Sequence, residues 1–213
     1  MKNLKVIFSA LSLLLWCGSA QIRANELIVN GNFEQPDVNG GYGLFTNGQV
    51  NGWNNTAGDG FIEIDASGVL GGPAYQSTQS MEVNADTFDT DSQTVSGLVV
   101  GKTYILSWAY GDRPGSGPQE MNVLFGGNLV TTDVDAFAGS NGSLIWNLNS
   151  FYVTATATTE TLSFESIPTS GLPSYGNEID AVSLATPELP TMPLLLTGLG
   201  FLGFLWRRQA VKA

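Results

Sequence analysis

From Thr103 to Tyr110 the chain alternates strictly: Tyr104, Leu106, Trp108 and Tyr110 fall on one face, Thr103, Ile105, Ser107 and Ala109 on the other. A strand sends successive side chains to opposite faces, so this pattern predicts a half-buried strand. The same period of two recurs through the middle of the chain, punctuated by Gly, Asn, Asp and Pro, and argues for many short strands. No segment there longer than a few residues carries the spacing of an amphipathic helix.

Other strands follow from the same pattern. Met121 to Phe125 and Asn128 to Thr132 flank Gly126-Gly127, a pair suited to the positive φ of a tight hairpin turn. Phe151 to Ala157 and Thr161 to Ser166 are predicted to pair antiparallel. Further strands are expected at Leu27 to Val29, Phe61 to Ile64, Ser80 to Val83, Thr90 to Val95 and Ile179 to Leu184. Ser166 to Gly176, with two prolines and two glycines, reads as a surface loop. Ten or so short strands predict an all-β fold, two packed antiparallel sheets in a β-sandwich such as a jelly roll.

The ends differ from the middle. Lys2 and Lys5 precede an apolar segment, Val6 to Cys17, closed by Gly18, Ser19 and Ala20, the pattern of a secretory signal peptide over residues 1–24. Cys17 follows the bulky Trp16, which argues against lipidation. At the other end an uncharged run, residues 189–206, precedes the basic cluster Arg207, Arg208 and Lys212. Its length approaches the roughly 20 residues that a spanning helix needs, and the basic cluster is expected to stay in the cytoplasm. The middle, residues 25–185, is then one exported domain.

Between Asn25 and Thr186 there are 18 Asp and Glu against two basic residues, Lys102 and Arg113. Nucleic acid is excluded as a partner by that balance. The acidity reads first as a solvated surface, with specific cation binding the alternative. Asp89-Thr90-Asp91 and Asp133-Val134-Asp135 resemble pieces of calcium loops but lack the glycine and distal glutamate of an EF-hand. The domain has no cysteine and the chain no histidine. Disulfides, thiol chemistry, the Ser-His-Asp triad and histidine zinc sites therefore drop out together, leaving only carboxylates for acid-base work.

Particular strings carry a resemblance. Leu27-Ile28-Val29-Asn30-Gly31-Asn32-Phe33-Glu34 and Asn51-Gly52-Trp53 resemble the opening of galactose-binding-domain-like sandwiches, which include many carbohydrate-binding modules. Gln79 to Val83, Ser92 to Val95, Gly97 to Tyr104, Trp146 with Phe151 to Thr158, and Thr161 to Ser166 follow in the order of a domain of unknown function shared by plant cell-wall and bacterial surface proteins. Tyr175-Gly176-Asn177-Glu178 departs from the Gly-Pro usual there.

The tail, residues 186–213, resembles the PEP-CTERM sorting signal. Pro187, Glu188, Leu189 and Pro190 stand at the motif, with leucine in place of its second proline, and Arg207 and Arg208 at the arginine cluster. Leu189-Pro190 is also similar to the Val-Pro-Leu-Pro variant. This resemblance implies an exosortase-type membrane protease as partner, a C-terminal helix in the membrane, and delivery to the cell surface or an exopolysaccharide matrix. The alternative is a permanent single-pass anchor.

The sandwich resemblance implies one structural calcium ion held by Glu34, Asp180 and the backbone carbonyl of Asn32. The alternative is that the two carboxylates bind strand-end amides. For a sugar, Trp108, Tyr110, Asp112 and Arg113, joined by Trp146 and Tyr152, supply the ring faces and polar edges that pyranose recognition uses. Against this, an aromatic stripe at strand spacing suits a core. Trp53 is expected in the core, and Arg113 can instead pair with a carboxylate. The expected function is a non-catalytic, carbohydrate-associating surface protein. A structural or adhesive protein without sugar specificity comes second, and a carboxylate-based enzyme acting on polysaccharide third.

Overall fold

In the computed structural model, residues 26–134 and 143–187 are described, and they lie within one unit, Asn25–Pro187. The predicted signal peptide, the motif from Glu188 onward, the apolar tail with Arg207 and Arg208, and Asp135 all lie outside the described residues. Among the described residues no helix is long and apolar enough to cross a membrane.

Eleven strands are described: β1 (Tyr42–Thr46), β2 (Asn54–Ala57), β3 (Phe61–Ala66), β4 (Gln79–Glu82), β5 (Thr90–Ser96), β6 (Thr103–Asp112), β7 (Glu120–Phe125), β8 (Asn128–Val134), β9 (Asn147–Thr154), β10 (Thr159–Ile167) and β11 (Asn177–Ala185). They form a six-stranded sheet in the order β1-β3-β4-β11-β6-β9 and a five-stranded sheet in the order β2-β5-β10-β7-β8. Every pairing is antiparallel. The expected all-β, two-sheet architecture is what the described residues adopt.

Alternation places the core. Ile62, Ile64, Met81, Leu106, Trp108 and Ile179 from the six-stranded sheet meet Met121, Val123, Leu162 and Phe164 from the other, all fully buried. Trp53 joins them as expected, its ring 5.3 Å from Phe33 and 5.9 Å from Phe164, with Nε1 donating to the Asn30 carbonyl at 3.2 Å. The Gly126-Gly127 hairpin forms with both φ angles positive, at 57° and 76°.

Three expectations change. β9 and β10 do not pair: β9 lies beside β6 in one sheet, and β10 sits between β5 and β7 in the other. Residues 155–158 cross between the sheets there, with Ala155 N–H bonded to the Lys102 carbonyl and Leu98 N–H to the Thr158 carbonyl. Leu27 to Val29 is not a strand, although Leu27 N–H donates to the Leu184 carbonyl. Its continuation is diverted because Val29 N–H bonds the Gln93 side chain at 2.7 Å. Finally, Gly176, placed at the end of a surface loop, is buried, and its N–H donates to Glu82 Oε1 at 2.6 Å.

β11 carries a bulge between Asp180 and Ser183 where Ala181 takes a positive φ of 51°. One extra residue lets Ile179, Val182 and Leu184 all face the core. It thereby leaves Glu178 and Asp180 on the opposite, outer face of the six-stranded sheet.

Candidate functional site

Core positions on β3, β4 and β11 alternate with acids, so the outer face of this sheet is lined by carboxylates. Register sets Glu63 opposite Glu82 and Glu82 opposite Glu178, while Asp65 lies opposite Ser80. Paired residues share a face, which lines up three glutamates across three neighbouring strands. All four acids are buried, Asp65 at 1% and Glu82 and Glu178 at 0% exposure. Among the described residues, the acidity read as a solvated surface is therefore largely inside: ten acidic side chains are buried.

Among the described residues one cation answers this row. Arg113, just beyond β6, places Nη1 3.1 Å from Glu82 Oε2, as the pairing expectation held, and its guanidinium lies 3.9 Å from the centre of the Tyr175 ring. Gly176 N–H holds the other Glu82 oxygen, and Ser80 Oγ donates to Glu178 Oε2 at 3.1 Å. Neither oxygen of Asp65, nor Glu178 Oε1, has a hydrogen-bond partner. Burial first, then the neighbouring carboxylates, pushes Glu63 up to about 9. Burial lifts Glu82 to about 7 and Asp65 to about 6, with Arg113 opposing both. Glu178 is raised well above the carboxylate range by burial and by Glu82.

Aromatic rings rim the row. Tyr42 and Leu44 on β1 stand opposite Asp65 and Glu63 and are exposed. On the far side Gly111 pairs with Glu178, and a Cβ there would meet Trp146 Cε3 at 3.1 Å. Trp146 is half-buried; its Nε1 donates to the Pro73 carbonyl at 2.8 Å and its ring meets Tyr75 edge-on at 6.3 Å. Glycine at 111 is what lets the indole reach the sheet.

The sequence-predicted site divides accordingly. Trp108 and Tyr110 belong to the core, not to a sugar platform: Trp108 stacks on Phe151 at 5.6 Å and donates to Asp133 Oδ2 at 2.7 Å, and Tyr110 OH donates to Asn177 at 2.8 Å. They lie on the inner face because their alternation is in phase with Tyr104 and Leu106. Asp112 accepts Ser116 Oγ at 2.8 Å on both oxygens and fixes the turn after β6. Tyr152 on β9 is 75% exposed, opposite Ile105, several residues along the sheet from Gly111. Only Arg113 and Trp146 of the six stand at the outer-face row.

Glu34 and Asp180 do converge, on the segment joining β3 and β4. Glu34 Oε1 accepts the Thr78 and Gln79 N–H groups at 2.8 and 2.9 Å, and Oε2 accepts Thr78 Oγ1. Asp180 Oδ2 accepts Gln76 N–H and Oδ1 accepts Ala181 N–H, both at 2.6 Å. Burial nonetheless lifts Asp180 to about 7. All four carboxylate oxygens are taken by donors, which is the arrangement of the amide-binding alternative. The next strand's Gln79 Nε2 donates to the Phe33 carbonyl.

A second acidic group lies at the β2-β5 edge. Asp89 Oδ1 accepts Asp59 N–H at 2.9 Å, and fully buried Asp91 pairs across the strands with Asn55, whose side-chain amide turns instead to the Phe61 carbonyl at 2.9 Å. Asp133, the other fragment read as a calcium loop, is spent on Trp108 Nε1 and Asn149 Nδ2.

No family model matches the chain. A stretch of Halomucin from Haloquadratum walsbyi is 30% identical over 185 residues, 81% of this chain, and the chain spans about 2% of the length of that curated relative. Among solved structures, a cyclase from Fischerella sp. TAU in complex with 4-(1H-Indol-3-yl)butan-2-one superposes with a TM-score of 0.52 at 15% identity, over 78% of this chain and 100% of that one. Its likeness is one of fold. The C-terminal family 22 carbohydrate binding module of Clostridium thermocellum Xyn10B gives 0.46 at 17% identity, over 71% and 97% of the two chains. That looser match carries no inference.

Proposed function

We propose that this is an exported, non-catalytic β-sandwich that associates with carbohydrate through the outer face of its six-stranded sheet. The observation that carries the reading is the aromatic rim formed by Trp146, Tyr75, Tyr175 and Tyr42 around Arg113 and the buried carboxylate row. Rings of this kind accept the CH face of a pyranose, while the partly exposed Arg113 offers a donor to its hydroxyls. The site differs from the strand-face platform expected from sequence, keeping Arg113 and Trp146 and replacing the core residues Trp108 and Tyr110.

Delivery follows from the tail in this proposal: the PEP-CTERM-like segment from Pro187 to Arg208 passes the domain to an exosortase-type protease, which places it at the cell surface or in extracellular polysaccharide. Calcium at Glu34, Asp180 and the Asn32 carbonyl fits less well, since donors already occupy both carboxylates; a calcium-dependent thermal shift lost in Glu34→Ala and in Asp180→Ala would restore it.

Affinity electrophoresis through gels containing soluble polysaccharides tests the sugar reading. Retardation that disappears in Trp146→Ala, with an unchanged circular dichroism spectrum, is expected. Retardation by no polysaccharide would leave the structural or adhesive reading, and release of reducing ends would establish the enzymatic one.

A further inference from the structure

We propose that Glu63, Asp65 and Glu82 form a binding site for a calcium ion on the outer face of the six-stranded sheet. One carboxylate oxygen from each lies within 4.8 Å of the others. Calcium binds oxygen at 2.3–2.6 Å, so two ligands on one ion can be no more than about 5 Å apart, and the three oxygens fall inside that limit.

The Asp65 side chain points to a ligand independently of the clustering. It is 1% exposed, and neither carboxylate oxygen has a partner. A buried carboxylate without donors is among the costliest arrangements in a protein interior. Contrast Glu34 and Asp180, whose oxygens are all supplied with donors. Asp91 and Asp89 Oδ2 at the β2-β5 edge also lack partners, but among the described residues only Glu63, Asp65 and Glu82 combine an unpartnered buried carboxylate with three acids that each bring one oxygen within 4.8 Å of the others.

Charge leads the same way. Among the described residues Arg113 is the one cation facing Glu63, Asp65, Glu82 and Glu178, and of these four it is paired with Glu82, while Asp86 adds further negative potential at Glu63. All-oxygen donors without imidazole or thiolate favour a hard cation over zinc or copper. Glu178, one strand further on with Oε1 unpartnered, stands as the next donor. The site is independent of sugar binding and separate from the Glu34/Asp180 corner.

Titration calorimetry of the chelator-stripped full-length protein with calcium chloride tests it, with wild type, Asp65→Asn, Glu63→Gln and Glu34→Gln in parallel. The expected result is one ion per chain, weakened at least tenfold by Asp65→Asn and by Glu63→Gln and unchanged by Glu34→Gln. Two substitutions guard against one failing to fold, and Asp65→Asn changes a side chain that bonds to nothing. No binding by wild type, or binding lost with Glu34→Gln and kept by Asp65→Asn, would overturn the proposal. Neither result bears on sugar retention, which is measured without calcium.

Discussion

Replacing Arg113 with glutamine removes the one cation that, among the described residues, faces four buried acids, and the cost should depend steeply on pH. Glu82, at 0% exposure, accepts Arg113 Nη1 at 3.1 Å, with the Arg113 side chain 24% exposed. Breaking a buried ion pair by removing one partner costs about 3–5 kcal/mol, and the partial exposure of Arg113 puts this case at the low end, about 3. At about 1.4 kcal/mol per pKa unit, that equals a further rise in Glu82 of about two units above its present value of about 7. A carboxyl whose folded pKa lies above its unfolded one leaves stability intact below the unfolded value and loses it as pH rises through the folded value. At pH 8.5 Glu82 is ionised in the wild type but mostly protonated in the variant, whose carboxyl lies about two units higher, so about 2 kcal/mol of the loss is felt there. At pH 5.5 it is protonated in both, and only the contact with Tyr175 and a neutral hydrogen bond go, below about 1 kcal/mol. Near 160 residues, about 2–4 °C of Tm accompanies each kcal/mol, so the shift should be about 4–8 °C at pH 8.5 and under about 4 °C at pH 5.5. Thermal unfolding followed by circular dichroism in chelator reads both. Equal losses at the two pH values would refute the coupling between Arg113 and a buried, titrating Glu82.

Three further outcomes are expected. The chelator-treated wild type should have a higher urea midpoint at pH 5 than at pH 9, because Asp65, Glu82, Asp180 and Glu63 all titrate above their unfolded values and withdraw stability between about 6 and about 9; a midpoint that rises with pH would contradict this. Asp133→Ala strips the acceptor from the buried Trp108 indole and should cost about 1–3 kcal/mol with a shift in tryptophan emission, an unchanged spectrum and midpoint counting against it. Gly58→Ala should destabilise the β2-β3 turn by about 1–3 kcal/mol, since φ is +124° and the added Cβ would sit 1.4 Å from Asp89 Oδ1; scanning calorimetry showing wild-type Tm would refute that.

Period-two alternation made β3 to β8, β10 and β11 legible, and for β6 it separated the two faces correctly. It could not say which face another sheet would cover, so Trp108 and Tyr110 suited both readings; in the fold Phe164 of β10 packs edge-on against Trp108 at 6.0 Å, and Tyr110 is buried on the same face. β1 and β2 were missed for a local reason: Tyr42–Thr46 contains a glycine and Asn54–Ala57 is almost wholly polar, leaving no apolar period. The mistaken pairing of β9 with β10 came from adjacency, which favours hairpins but does not forbid a crossing between sheets. The carboxylate row was illegible because its members stand at positions 63, 65, 82 and 178, and only the sheet order β3-β4-β11 makes them neighbours.

That row also changes the meaning of the composition. An acidic exported chain is expected to keep its charges in water, where they cost little and hold molecules apart. Here a six-stranded sheet places apolar residues inward and, between them on β3, β4 and β11, the acids Glu63, Asp65, Glu82, Glu178 and Asp180 outward, yet the outward acids are buried as well. Desolvated carboxylates oppose folding, and a single arginine offsets only part of that opposition. Departures from locally consistent design concentrate where a protein binds something. The rim of Trp146, Tyr75 and Tyr175 lies over the same patch, so the strained electrostatics and the exposed rings mark one surface. A cation beneath and a sugar above would use different atoms of that surface, and the Asp65→Asn and Trp146→Ala variants separate the two contributions.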